Sequence, residues 1–487
     1  MKQDFPNLNN KIYYDLLSYD RNLIEKLSKK YNYNDIINSI SKAQDYLYNY
    51  GIKKEEIPYL IVSNITKKSE EIINETVIFE NDDYDKKDRI IDKILTNRLT
   101  SIPIMLLSLV IIFWITISGA NVPSDLLYDF LFSLEKPLLE FLNLLNVPLQ
   151  ITNCLVYGIY RVLAWVVSVM LPPMAIFFPL FALLEDFGFL PRIAFNLDKY
   201  FKKCASCGKQ ALTMCMGFGC NAVGVIGTRI IDSKRERIMA ILTNSIVPCN
   251  GRFPTLIAII SIFFVSSTFS SSLMLTGLII FSIFMTFLIS KFLSKTLLKG
   301  TPSSFTLELP PYRKPHIIKV IIRSFFDKTL FVLKRAICVA APAGFIIWIL
   351  ANVKIDDVSL LMICSNFLDP FASIIGLDGT ILMAFILGFP ANEIVIPLMI
   401  MGYMALGNLV DISNLEAIKN ILISNGWTIT TAICFMIFSL MHFPCFTTVL
   451  TIKKEAGLKW SIYSILIPLV FGIITCFIVN SIMKFLI

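Results

Sequence analysis

Two histidines in 487 residues, His316 and His442, leave no material for a multi-histidine metal centre. Charge is scarce as well, at 16% Asp, Glu, Lys and Arg against about 25% in an ordinary soluble domain. Together with 55% hydrophobic residues, that composition excludes disorder, a collagen-like chain and an ordinary cytosolic enzyme. The first apolar run of spanning length begins only near Ile102, so no secretory signal peptide is expected. The eleven cysteines lie mostly inside apolar segments, unlike a secreted disulfide framework. The basic surplus sits in short loops, which is the pattern of topology signals and gives no reason to expect a nucleic-acid partner.

What is present divides unevenly. The first hundred residues carry 16 Lys/Arg against 17 Asp/Glu, and the rest carry 28 against 19. Residues 11–95 read as soluble helices, with apolar residues at i, i+3 and i+4 over 15–31 and 33–51 and Gly51 placed as a C-cap. Beyond them, runs of about 20 apolar residues are needed to cross a bilayer. Candidates are 101–118, 153–183, 238–265, 273–290, 330–352, 428–450 and 460–484, while amphipathic 125–146 reads as an interfacial helix. The organisation expected is a cytoplasmic helical domain over 1–95, a first transmembrane repeat over 96–300, a cytoplasmic connection over 301–330 and a second repeat over 331–487. Membrane lipid is the implied solvent.

Two more apolar stretches, 211–227 and 379–402, are interrupted by glycine and proline. Lys/Arg-rich loops flank the first (192–209, 229–237), and acidic or neutral loops flank the second (354–378, 403–427). By the positive-inside rule each can enter from its own face and return, with full spans as the alternative. Their sequences match at a constant offset of 171. Leu197–Asp198 aligns with Leu368–Asp369, Gly208 with Gly379, Gly217–Phe218 with Gly388–Phe389, and Asn221 with Asn392. A proline-cysteine pair follows each copy, Pro248–Cys249 and Pro444–Cys445, the second displaced by 25 further residues that the 407–427 loop can hold. Related segments entering from opposite faces form an inverted repeat, the architecture of an alternating-access carrier. The fold expected is an all-α polytopic membrane protein with two inverted repeats and re-entrant hairpins.

Irregular backbone at membrane depth is tolerated where it is buried in protein or lines a cavity. Four runs combine such a breaker with a polar or thiol group: 217–224 (GFGCNAVG), 247–254 (VPCNGRFP), 388–397 (GFPANEIVIP) and 442–449 (HFPCFTTV). Cys220, Cys249 and Cys445 stand beside breaks, and their sulfur favours soft or borderline first-row metals. Asn221 and Asn392 add amide oxygens. Glu393, a carboxylate in an apolar stretch, is a functional candidate by default, for a cation or a proton. These six are the candidate metal donors, suited to weak, multi-site ligation of a passing ion. Met214 and Met216 read as packing, and His442 as a packed, hydrogen-bonded side chain. Glu185 and Asp186 are set for an ion pair with Arg192 or a helix-end contact, and Arg252 for an acid or freed carbonyls. Cys204 and Cys207 form a CxxC in a basic loop, with no second CxxC beside it.

These residues resemble the FeoB ferrous-iron transporter family over roughly 11–487. The resemblance is carried by LEDFGFLPRIAF (184–195), GFGCN (217–221), CNGRFP (249–254), GFPANEIV (388–395) and FPCFTTVLTIKKEAG (443–457). It implies two Gate-type domains with re-entrant folds and an Fe²⁺ route past Cys220, Cys249 and Cys445, with Fe²⁺ as cargo and no permanently bound cofactor. Such proteins normally begin with a GTPase domain, which needs a GxxxxGK[ST] phosphate loop. The sequence contains none, so no GTP hydrolysis is expected of the chain itself. Either a separate small GTPase docks on 1–95, or the gene is truncated, or the transporter runs without nucleotide, and a homo-oligomer is left open. The expected location is the plasma membrane, multi-pass, with the N-terminus cytoplasmic. Two rival functions remain: a Gate-type carrier of an organic substrate such as a nucleoside, and a membrane redox or scaffold protein using Cys204 and Cys207.

Overall fold

The computed structural model describes residues 4–6, 9–17, 23–24, 27–28, 31–52, 56–77, 86–97, 99–204, 206–264, 268–299, 312, 316–409 and 415–486. Two compact units meet in sequence at Ile90–Ile91. In the first, the helices Asn10–Leu17, Tyr33–Asn49 and Ile57–Thr76 are the regular elements, with a small core built on Tyr13, Leu16, Ile36 and Ile40. Gly51 ends Tyr33–Asn49 in the left-handed region (φ 84°), and the Ile52 N–H donates to the Leu47 carbonyl at 3.1 Å, as a C-cap glycine should. The helix expected over 15–31 lies largely outside the described residues, as do Arg98, most of the 301–316 connection and 410–414.

The second unit is helical and polytopic. Six helices among the described residues are long and apolar enough to cross a membrane: Ser101–Leu144, Leu149–Asp186, Leu273–Lys295, Ile317–Asn352, Ile429–Ala456 and Leu458–Phe485. The first runs further than the sequence implies. Ser101–Ser133 is one helix through Pro123, about 50 Å at 1.5 Å per residue. Residues 125–133 therefore extend it, and only Glu135–Leu144 remains as a separate helix in place of the interfacial one expected over 125–146. Gly119, just past the end of the expected span, stays helical and packs against Ile176 of Arg161–Asp186, where an added Cβ would come within 3.1 Å. Small residues let membrane helices approach closely.

The stretch 238–265 departs from expectation in the other direction. Lys234–Asn244 stops before Pro248, and the chain resumes as Phe253–Phe263 after an unwound segment. A proline has no N–H to continue the ladder, and Ser245–Cys249 leaves the helix altogether. Ile429–Met441 and Phe446–Ala456 repeat this arrangement around Pro444.

Each interrupted stretch is a pair of short helices meeting at an unwound corner. Lys209–Gly219 and Asn221–Gly227 flank Cys220, which is extended (φ −154°, ψ 124°). Gly379–Leu387 and Val395–Tyr403 flank 388–394. The matched residues outside the corners have a common structural task. The Gly208 N–H donates to Asp198 Oδ1 at 2.7 Å, and the Gly379 N–H donates to Asp369 Oδ1 at 2.8 Å. A Cβ on Gly208 would strike the Ala194 carbonyl, and one on Gly379 the Ser365 carbonyl, again 171 residues apart. The repeat in sequence is thus a repeat in hydrogen bonding. In the second copy the chain turns through 112° between Leu360–Ile374 and Gly379–Leu387.

Charged contacts then tie the two repeats together. Glu455, ending Phe446–Ala456, receives Arg229 at 2.5 and 3.0 Å and Arg237 at 3.0 Å. Arg161 pairs with Glu135 at 2.7 Å and donates to the Leu409 carbonyl at 3.1 Å.

The matched turns are separable by substitution. Asp369→Ala removes one side-chain cap, costing about 1 kcal/mol, whereas Gly379→Ala forces a methyl into the Ser365 carbonyl and costs several times more. Thermal unfolding of the detergent-purified protein should rank them in that order, with Asp198→Ala and Gly208→Ala giving the same ranking in the first copy.

Candidate functional site

The glycines of the first corner make room for an asparagine that pattern reading does not single out. A Cβ on Gly217 or Gly224 would run into the buried side chain of Asn244, at 2.5 and 2.7 Å. Asn244 Nδ2 donates to the Asn221 carbonyl at 2.9 Å, tying the end of Lys234–Asn244 to the helix that begins at the corner. The Asn221 side-chain amide in turn faces the carbonyls of Gly217 (3.1 Å), Asn244 (3.3 Å) and Val247 (3.1 Å). Three acceptors on one side assign the NH₂ to that side and leave the oxygen as the other end.

The second corner is built from different side chains. Asn392 faces the imidazole of His442, its Oδ1 placed 3.3 Å from Nε2. The Phe446 N–H donates to the Phe389 carbonyl at 2.8 Å, joining the hairpin to the proline-cysteine break of its own repeat. Cys445 Sγ lies 3.2 Å from Thr448 Oγ1.

Arg252 joins the two halves. Its buried guanidinium donates to the carbonyls of Ser245 (3.2 Å) and Leu440 (2.8 Å) through one nitrogen, and of His442 and Phe443 (3.4 Å each) through another. Of the two partners expected for it, freed carbonyls are what it finds, and they belong to both broken stretches. Next to it, Gly251 has no side chain where the Glu393 carboxylate lies, and a Cβ there would collide with that group.

These elements enclose a cavity of about 30 Å³ whose wall includes Cys220, Asn221, Cys249, Asn392, Glu393 and Cys445. All six candidate donors therefore line one space, three from each repeat. Among the described residues no three His, Cys, Asp or Glu side chains gather into a metal cage, so the donors line a space without closing around a point. Met170 and Met174, on Arg161–Asp186, also face the cavity. Met214 and Met216, read as packing, do pack in an apolar cluster, which Met174 also joins. The sequence signal near Met170 and Met174 was Pro172–Pro173 inside an apolar helix. His442 is buried against Phe385, Phe438 and Phe443, behind the wall.

Arg192 pairs with Asp92 at 3.0 Å rather than with Glu185 or Asp186, donates to the Gly188 carbonyl, and stacks on Tyr312 with 3.9 Å to the ring centre. Cys204 and Cys207 stand apart from the cavity as free thiols. Burial pushes Cys207 up to about 12, with the Glu236 carboxylate adding to the effect, and burial also raises Cys204. The nucleophile in thiol chemistry is the thiolate, and these surroundings suppress it.

Comparison with known proteins agrees with this geometry. A Gate model described as "Nucleoside recognition" matches residues 167–263 and 333–459, the two interrupted halves. A model for "Ferrous iron transport protein B C terminus" matches 275–327. The chain is similar to the Fe(2+) transporter FeoB of Staphylococcus aureus (strain MSSA476), 31% identical over 426 residues, covering 84% of this chain and 61% of that protein. It is 28% identical to the FeoB of Methanocaldococcus jannaschii over 335 residues, 65% of this chain and 48% of that protein. A fusion of Fe(2+) transport protein A with FeoB from Porphyromonas gingivalis is 26% identical over 425 residues, 77% of this chain and 49% of that protein. The chain thus spans about half to three-fifths of the length of these curated relatives. No solved structure matches it.

Arg252→Met keeps the volume of the central strut and removes its donors, leaving carbonyls of both breaks without a partner. The expected cost is on the order of 3 kcal/mol, read as a lowered unfolding midpoint in detergent. Arg252→Lys, with a single point of donation, should fall between the two.

Proposed function

Since the chain belongs to the FeoB family, whose membrane portion it matches, we propose that it imports ferrous iron across the plasma membrane along the cavity between its two repeats. The observation that carries this reading is the meeting of Cys220, Cys249, Cys445, Asn221, Asn392 and Glu393 on one small space. Thiol and thioether sulfur select soft or borderline cations over Mg²⁺ or Ca²⁺, and amide and carboxylate oxygens complete the replacement of the water shell. An open lining suits transport, because an ion held by a closed cage leaves slowly. A space of about 30 Å³ holds a water or two, which favours a bare ion over a nucleoside. Cys204 and Cys207, on which the redox reading rests, lie outside this space.

The N-terminal unit faces the cytoplasm in this reading, as the basic loops around 192–209 and 229–237 require. Any nucleotide control comes from a GTPase acting on that unit, and Fe²⁺ is cargo throughout.

Uptake of radioactive Fe²⁺ into proteoliposomes under reducing conditions tests the proposal, with and without a candidate GTPase. Cys220→Ser, Cys249→Ser and Cys445→Ser are each expected to lower uptake at least about ten-fold, since oxygen replaces sulfur in the path. Cys204→Ser with Cys207→Ser should leave it within about two-fold. A wild type that moves no metal in either condition defeats the reading, and the reverse pattern of cysteine effects favours the redox alternative.

A further inference from the structure

The two asparagines at the cavity are held by different means, and the means settle which end of each amide the cavity receives. Asn221 directs its NH₂ at three carbonyls, so its oxygen is the end left over. Asn392 meets an imidazole. His442 Nδ1 lies 2.9 Å from the Ser439 carbonyl and 3.2 Å from the Phe438 carbonyl. Two acceptors at Nδ1 require that nitrogen to carry the proton. Asn392 Oδ1 is placed 3.3 Å from Nε2, but the two ends of an amide are told apart only by their partners. With one proton on the ring, Nε2 is a bare acceptor, and the amide has to be turned over so that its NH₂ faces it. Phe385, Phe438 and Phe443 surround the imidazole, with ring centres 4.8, 6.1 and 5.3 Å away, and the Arg252 guanidinium fastens its backbone carbonyl. The ring has little freedom to turn over.

We propose that His442 is a positioning residue, whose Nδ1–H tautomer turns the Asn392 amide so that its NH₂ donates to Nε2 and its oxygen faces the cavity. Each hairpin then offers a cation an oxygen and withholds an N–H. His442 sits 196 residues after Ile246, the same displacement that separates the two proline-cysteine pairs. In the first repeat that place lies between the Asn244 and Val247 carbonyls that hold Asn221. The two repeats reach one amide orientation, by backbone in the first and by a side chain in the second. The consequence for ions rests on the transport reading, whereas the hydrogen-bond geometry does not.

The chain's two histidines make a direct test practical. In the full-length protein labelled with ¹⁵N-histidine, His316→Asn removes the second ring and leaves His442 alone. The expected spectrum has a protonated Nδ1 and a bare Nε2, and Asn392→Ala shifts the Nε2 signal. A protonated Nε2, or an Nε2 indifferent to Asn392→Ala, overturns the proposal whatever the transport assay gives. In proteoliposomes, His442→Leu is expected to raise the KM for Fe²⁺ about ten-fold. His442→Gln, whose side-chain oxygen can accept from Asn392, should stay within about three-fold. A KM for His442→Leu equal to that of wild type, or equal losses in the Leu and Gln variants, also overturns it. A wild type that moves no iron sinks the transport reading and leaves the tautomer result standing.

Discussion

A backbone group that loses its helical partner inside a bilayer has no water to turn to, and that constraint shapes the whole centre of this protein. The chain unwinds at Cys220, at 245–249, at 388–391 and at 442–445, and each unwound stretch exposes carbonyls or N–H groups at depth. Protein donors meet them. The Asn221 amide reaches three carbonyls, and Arg252 spreads two nitrogens over four more drawn from both halves. The corners therefore have to stand together, because each depends on side chains rooted in another. The cavity is what remains between them, and its wall consists of the groups the breaks turn inward.

Much of this was legible in residue order. The match at an offset of 171 located both hairpins, and its conserved spacing of aspartate and glycine has a physical basis in two identical hydrogen bonds and two identical close approaches to a carbonyl. The six donor candidates were chosen by proximity to helix breakers, and helix breakers at depth are where polar groups can face a shared space.

Other features were hidden because their cause is tertiary. Gly119, just past the expected stop, stays inside Ser101–Ser133 as a close contact. The run 238–265 has the hydropathy of a single span, yet Pro248 cannot donate to a continuous ladder and the Ser245 carbonyl accepts from Arg252 instead. Met170 and Met174 reach the cavity from a third helix whose register the pattern does not fix, so residue order did not place them there. A lone histidine in an apolar run gives no sign of its partner, and the bond between His442 and Asn392 joins residues 50 positions apart.

The proposed path makes its most exposed commitment in the ligands an ion would meet. X-ray absorption at the iron edge, on the full-length protein loaded with Fe²⁺ under reducing conditions, reports those ligands directly. Sulfur beside oxygen or nitrogen in the first shell, with the sulfur lost when Cys220, Cys249 and Cys445 are together replaced by serine, is the expected result. A wild-type shell of oxygen and nitrogen alone, or sulfur that survives the triple replacement, would contradict a passage lined by these three thiols.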